Sequence, residues 1–364
     1  IRGDVRNDGR LAFNRADDLA FAGVISGGGL IAQIGSGVTA LSGDSSAFSG
    51  RTEVRSGTLD VDGKLGGLTE VFDGGRLTGH GQVGSLLNQA GGVVAPGGFG
   101  ALTVAGGYEG RGGTLQIETA LGGDDSQTGR LLVRGGTSGS TLVEVANRGG
   151  LGGLTSNGIL VVDVEGVSDG VFALAKGDFR LGGENALVAG AYAYVLRQDV
   201  QGRDWKLRSG VNEVAGPPRP ADPDQPAGEP GAPVDPGLPQ VTLYQPGVPV
   251  YEAYAHTLQT LNGLSTMRQR IGARQWSGEE GAGVWGRTEG GRVKVEPAVS
   301  TTNARLETDR WKVQFGIDQA LADDLAGGRL VGGLTAHYGE ASTSVGSPFG
   351  GGSLDAKAMG VGAT

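Results

Sequence analysis

The chain has 364 residues, 73 of them Gly, no Cys, and a formal net charge of −9. Without cysteine, disulfide scaffolds, thiolate zinc sites and cysteine nucleophiles are excluded. No run of five or more Lys/Arg exists, so the clustered cations that phosphate binding requires are missing, and nucleic acid is not an expected partner. The length suggests two or three domains. Gly at this level, with no strict G-X-Y period, excludes collagen and fits many turns joining many short strands. Aromatic residues are 5%, so any core is built mainly from small aliphatic side chains.

Residues 1–208 read as short apolar runs punctuated by Gly, Ser, Asp and Asn about every 6–9 residues. The segment "VISGGGLIAQIGSGVTALSGDSSAFSGRTEVRSGTLDVDG" (24–63) shows the pattern, and no helical period survives the glycines. A sandwich, a barrel or a β-solenoid would fit; scarce aromatics and abundant Gly favour the solenoid. Roughly eight to ten coils of about 20 residues, stacked about 4.8 Å apart with Val, Leu and Ile pointing inward, would make a rod of about 40–50 Å.

Residues 209–250 change character. Eleven of the 14 prolines fall between Pro217 and Pro249. Proline lacks the donor and fixes φ, so the stretch reads as a semi-extended, solvated linker, at about 3.1 Å per residue where it is polyproline II. Next comes a run that reads as a helix over 251–274, with Leu258, Leu261, Leu264, Met267 and Ile271 on one stripe. Arg268, Arg270 and Arg274 crowd its last turns, where cations complement the helix dipole. Gly263 and Gly272 each weaken it by about 1 kcal/mol relative to Ala, so a steric reason for them is expected. Twenty-four residues reach about 36 Å, the thickness of a bilayer, yet the run is too polar to face lipid.

From about 283 the period becomes two. Trp311, Val313, Phe315 and Ile317 alternate with Arg310, Lys312, Gln314, Gly316 and Asp318. In "LVGGLTAHYGEAS" (330–342), Leu330, Leu334, Ala336 and Tyr338 share a face. Strands of about 9–13 residues with aromatics near their ends suit an outer-membrane barrel. On periodicity alone an ordinary half-buried antiparallel sheet fits equally well. The order of the blocks separates the two: a polar helix of bilayer length needs a watery path, and a barrel lumen supplies one.

At this point the chain resembles the monomeric (type Va) autotransporters of Gram-negative bacteria. "GSGVTALSGDSSAFSGRTEVRSGTLDVDG" is similar to the passenger-associated transport repeat. "GGVVAPGGFGALTVAGGYEGRGGTLQIE" and "GAYAYVLRQ…DWKLRS" resemble a pertactin-like passenger C-terminus. "STMRQRIGAR" followed by "GVWGRTEGG" resembles the linker helix and first barrel strand. The resemblance implies an all-β fold: a right-handed parallel β-helix passenger, a Pro-rich linker, one pore-spanning helix, and the first strands of an incomplete outer-membrane barrel. Its implied divisions are passenger coils at 1–99, an autochaperone region at 100–208, the linker at 209–250, the helix at 251–275, and barrel strands at 283–364. The family's barrel has about twelve strands, and the residues from 284 onward supply about four of them. The chain reads as a fragment cut at both ends. Implied partners are the outer-membrane bilayer, the barrel-assembly machinery, periplasmic chaperones and a host or cell-surface receptor. The implied role is self-secretion and surface display, adhesion foremost.

Other features weigh less. "GHGQVG" (79–84) matches a dinucleotide fingerprint but lacks the following helix, so it reads as a turn. The tripeptide at Arg2, Gly3 and Asp4 matches an integrin ligand by chance more readily than by design. His80, His256 and His337 lie in different modules. Asp124 and Asp125 belong to a turn, not to a calcium nonapeptide repeat. The pore-helix Asn pair at which some family members cut themselves falls here on Ser265 and Thr266; Asn262–Gly263 lies one turn away. No catalytic residue, cofactor or metal site is assigned. The competing reading is an extracellular β-solenoid acting on polysaccharide, with its catalytic part upstream. It needs a carboxylate cluster that the scattered Asp and Glu do not form.

Overall fold

The computed structural model describes residues 3–199, 201–212, 240–262, 283–325 and 328–363. Two compact units form, one running through Leu243 and one from Tyr244 onward.

The first unit is a parallel β-helix with three strand ladders. In the first ladder the pairs are Arg10↔Leu30, Leu30↔Arg51, Arg51↔Leu68, Leu68↔Ser85, Leu86↔Tyr108, Tyr108↔Thr137 and Ser140↔Val171. Each step along the ladder is one coil. The steps stay close to the expected coil length as far as Leu86↔Tyr108. The last two are clearly longer, so the coils widen towards the C-terminus.

In-register stacking produces the core. Leu59, Leu77, Val94, Leu115 and Val143 form one column of successive partners, each fully buried. Leu65, Val83, Val104, Val133 and Val164 form another. Because successive side chains on a strand point to opposite faces, one apolar residue in two is enough to fill a thin layer. That explains why most of the core needs no aromatic side chain. Phe13, Phe21 and Phe48 are buried in the first coils, and towards the C-terminus Tyr108, Phe172 and Trp205 form a chain of ring contacts at 5.8 and 5.5 Å.

The glycines do more than turn the chain. Gly9, Gly29, Gly50, Gly67 and Gly84 stack coil upon coil. A Cβ at any of the last four would sit closer than 3.0 Å to the carbonyl of the glycine below. The column continues through Gly106, Gly135 and Gly166, each donating its N–H to the carbonyl of the glycine beneath at 3.0–3.1 Å. A second column of Gly3, Gly23, Gly43, Gly63 and Gly81 behaves likewise. Here the sequence reading needs correction: many of these glycines are required by close backbone approach between coils, not by turn geometry.

Parallel stacking stops near residue 174, and antiparallel strands close the end. Ile159–Val164 pairs with Trp205–Arg208, which pairs with Tyr192–Gln198, which pairs with Glu184–Ala189. Such a closure covers the last coil's backbone groups and core, which would otherwise be left open. Tyr194, buried in this cap, accepts from Gly153 N–H and donates to the Gly122 or Gly153 carbonyl at 2.7–2.8 Å. Burial, reinforced by Asp199 and Asp163, holds the Asp204 carboxyl above the usual carboxylate range, while Lys206 Nζ at 3.8 Å opposes this.

The linker expectation is corrected at both ends. Gly210–Asn212 and Gln240–Thr242 are strands that pair antiparallel. Most of the proline-rich stretch, 213–239, lies outside the described residues.

The second unit is a four-stranded antiparallel sheet in chain order, Gly283–Val295, Arg305–Leu325, Gly328–Ser347 and Gly350–Ala363. The strands have 13, 21, 20 and 14 residues, so three of them are longer than expected. Gly-, Ser- and Thr-rich ends conceal their extent in the sequence. A helix, α1 (Val248–Leu261), packs on one face. It starts earlier than expected because Pro249, read as the end of the linker, sits in its first turn, where a missing N–H costs nothing.

Two outcomes are expected. Gly50→Ala should lower stability by about 1–3 kcal/mol through overpacking against the coil below. Gly9→Ala, whose Cβ meets nothing within 4 Å, should be neutral; urea midpoints followed by circular dichroism compare the two. Lys206→Met should destabilise the cap at pH 7 and progressively less towards about pH 4. The sign follows from Asp204's raised value: its contribution is present below the ordinary carboxylate range and is lost as pH rises through the raised value.

Candidate functional site

The second unit has inverted polarity. In the 305–325 strand, Lys312, Gln314 and Asp318 are buried, while Phe315 and Ile317 are exposed at 60% and 59%. The register joins these apolar residues across the sheet: Phe315 opposes Ala336, which opposes Val361, and Ile317 lies between Val284 and Leu334. Val361 and Met359 extend the exposed apolar face, at 90% and 82%. Burying cations and amides while presenting Phe, Ile, Leu and Val outward is unfavourable for a sheet surrounded by water.

Helix α1 lies on the polar face. Its contact seam is Pro249, Ala253, Thr257 and Leu261, at spacings of four. This differs from the expected leucine stripe. Leu261 is buried against Ala341 and Ala356 and Leu258 only partly, while Leu264, Met267 and Ile271 lie outside the described residues. Small residues let the helix backbone approach the strands. Ala253 packs against Ala304, Leu306 and Val345. Between these apolar contacts the fully buried hydroxyls of Thr257, Thr343 and Thr308 form a chain, each link 2.8 Å.

Both ends of the helix are anchored. Glu252 accepts from Ser300 Oγ (2.9 Å), Thr301 N–H (2.8 Å), Thr302 N–H (3.1 Å) and Thr302 Oγ1 (2.5 Å), tying the first turns to the loop between the first two strands. Arg310 Nη1 donates to the Thr260 carbonyl at 3.0 Å, placing a cation at the helix C-terminal end. The sequence reading missed Glu252 and the three threonines. The available signal was Thr308 on the face of its strand opposite Trp311 and Phe315, Thr343 on the face of its strand opposite Leu334 and Tyr338, and Ala/Thr at i, i+4 in the helix.

Other singled-out residues fall in separate places. Arg2 and the Ser265–Thr266 position lie outside the described residues, as do Arg268, Arg270, Gly272 and Arg274. Asp4 Oδ1 accepts Val24 N–H at 2.8 Å. Gly79, Gly81 and Gly84 press against Val61, Gly63 and Gly67 of the coil below, and His80 and Gly81 form the bend between the strands Gly75–Gly79 and Gln82–Gln89, so "GHGQVG" is a turn followed by a strand and not by the helix a dinucleotide site needs. His80 is exposed beside Asp62, His256 belongs to α1, and His337 to the third sheet strand. Asp124 accepts N–H bonds from Ser156, Asn157 and Gly158 at 2.8–3.0 Å, fastening a loop of the next coil. Asn262 caps α1, its N–H donating to Leu258 O.

A polar groove runs beside the longer coils, lined by Arg76, Gln116, Glu118, Glu144, Arg148 and Lys176. Arg76 Nη1 donates to Gln116 Oε1 (2.5 Å), and Gln116 Nε2 donates to Glu144 (3.0 Å). Arg148 pairs with Glu118. These side chains satisfy one another.

Residues 81–196 match the family described as Autochaperone Domain Type 1. The match covers the coils that lengthen and most of the antiparallel cap. The adhesin BmaC autotransporter of Brucella suis biovar 1 (strain 1330) is 41% identical over 376 residues, which covers 98% of this chain and 10% of that protein. The probable autotransporter YfaL of Escherichia coli (strain K12) is 32% identical over 256 residues, covering 60% of this chain and 19% of the relative. The autotransporter adhesin AIDA-I of Escherichia coli is 37% identical over 102 residues, covering 27% of this chain and 7% of the relative. These matches place the chain among the classical autotransporters. It spans a tenth to a fifth of the length of BmaC and YfaL.

Thr343→Val should interrupt the hydroxyl chain, leave Thr257 and Thr308 short of a partner, and cost about 1–3 kcal/mol of helix docking. Hydrogen exchange of the α1 amides should accelerate accordingly, while Thr343→Ser retains protection.

Proposed function

We propose that this chain is the junction of an autotransporter: the last coils of a surface-displayed β-helix, joined to the opening strands of the outer-membrane barrel that exports it. The inverted polarity of the 283–363 sheet carries this reading. Its uncovered face is apolar and suited to lipid, and its covered face is polar and holds a helix. In a barrel the covered face becomes the lumen, and α1 the chain segment threading it. The coils at 1–99 belong to the exported passenger. Residues 100–208 act as the folding nucleus: each stacked coil templates the next, so folding outside the cell propagates from the stable capped end and opposes back-sliding.

The expected location is the outer membrane, with the β-helix outside. Expected partners are the bilayer, the barrel-assembly machinery and periplasmic chaperones. The BmaC and AIDA-I names support an adhesive, non-enzymatic role for the whole protein, directed at a host or cell-surface receptor.

Ile317→Arg tests the reading in the full-length protein. A cation facing the middle of a bilayer costs a barrel about 2–4 kcal/mol, so the heat-modifiable folded form seen on gels should decline. Val299→Arg, in a loop where Val299 is 92% exposed, should leave assembly unchanged. Full assembly of Ile317→Arg would place that face in water and remove the proposal.

A further inference from the structure

The strongest unexplained feature is where the chain goes on either side of the proline-rich stretch. Before it, Ser209 is fully buried in the β-helix cap. Its Oγ donates to the Gly153 carbonyl (2.7 Å) and accepts Thr155 N–H (2.9 Å), and its own N–H donates to Thr155 Oγ1 (2.9 Å). After the stretch, Leu243 is 7% exposed in the same cap. Leu243 N–H donates to the Ser209 carbonyl (2.7 Å), and its carbonyl accepts Ala193 N–H (3.0 Å). Between these anchors Gly210 opposes Thr242, Val211 opposes Val241, and Asn212 opposes Gln240.

A spacer keeps its two ends apart; here they are strand partners. The segment 213–239 is therefore inserted between two strands of one element. Only positions 244–247 separate Leu243 from α1. The compact unit of the β-helix runs to Leu243 in the same way.

We propose that residues 240–243, on the helix side of the proline-rich stretch, are the closing strand of the β-helix, and that the β-helix requires them while it does not require 213–239. The inference rests on the proposed folding nucleus and extends it, ending it at Leu243 and not at residue 208. Leu243 fills the buried site that Ser209 and Ala193 line.

The test uses the full-length protein displayed on bacterial cells, with added protease and two readouts: the survival of the β-helix fragment and the heat-modifiable mobility of the barrel. Leu243→Asp should shorten β-helix survival at least tenfold with barrel mobility unchanged, and Leu243→Ile should restore it. Replacing 213–239 by Asn-Gly, which suits a two-residue hairpin, should leave survival within twofold of the parent. The proposal is overturned if Leu243→Asp survives like the parent, or if the Asn-Gly replacement is as sensitive as Leu243→Asp. It is equally overturned if Leu243→Asp abolishes the barrel form, because the defect then lies in the second unit. Failure of the barrel reading is detected separately, by Ile317→Arg.

Discussion

The β-helix depends on one constraint: consecutive coils must bring their backbones together at the same points, rung after rung. Two glycine columns meet it by leaving no Cβ in the gap. Once the rungs are locked at those points, the ladders fall into register. The apolar columns, such as Leu59–Leu77–Val94–Leu115–Val143, follow without large side chains. A stack built this way has one exposed cross-section at each end. The antiparallel cap, with Tyr194, Ser209 and Trp205 buried in it, deals with the C-terminal one. The autochaperone match lies over the region where coil length grows and closure begins. There the cap is held by side-chain hydrogen bonds besides the ladders.

The second unit solves a different problem with reversed polarity. Its helix is not held by a broad hydrophobic seam. Small residues allow close approach, a threonine chain runs down the middle, and Glu252 and Arg310 tie the ends. Each contact is modest, and most are hydrogen bonds that water could replace. A helix seated this way can keep one position without being buried in grease, which suits a segment lodged in a polar enclosure.

Much of this was legible from the residues. The all-β character, the stacked coils, the change at the proline-rich stretch and the alternation from Trp311 to Asp318 are all local patterns, and local patterns survive into the fold. What stayed hidden depends on contacts between distant positions. Gly29, Gly50 and Gly67 look like turn residues until the pairings Leu30↔Arg51 and Arg51↔Leu68 place them over one another. The pairing of Gly210–Asn212 with Gln240–Thr242 joins very short strands across a stretch whose prolines announce a linker. In α1 the leucines at spacings of three drew the eye, while the seam chosen by the sheet was the smaller residues at spacings of four. Glu252 carried no motif, and its partners Ser300, Thr301 and Thr302 lie far along the chain, beyond the helix and the first sheet strand.

The glycine rail also separates two kinds of freedom in this architecture. Coil circumference grows along the stack, from the short step Arg51↔Leu68 to the long step Ser140↔Val171, yet Gly84, Gly106, Gly135 and Gly166 remain linked one above another. The extra length goes sideways, as in the 148–158 excursion that presents Leu151 and Leu154 to the surroundings. Pitch is therefore conserved while outline is free to drift. Ornament can be added, lengthened or rewritten on the flanks of such a stalk without resetting the spacing by which each layer recognises the one beneath it.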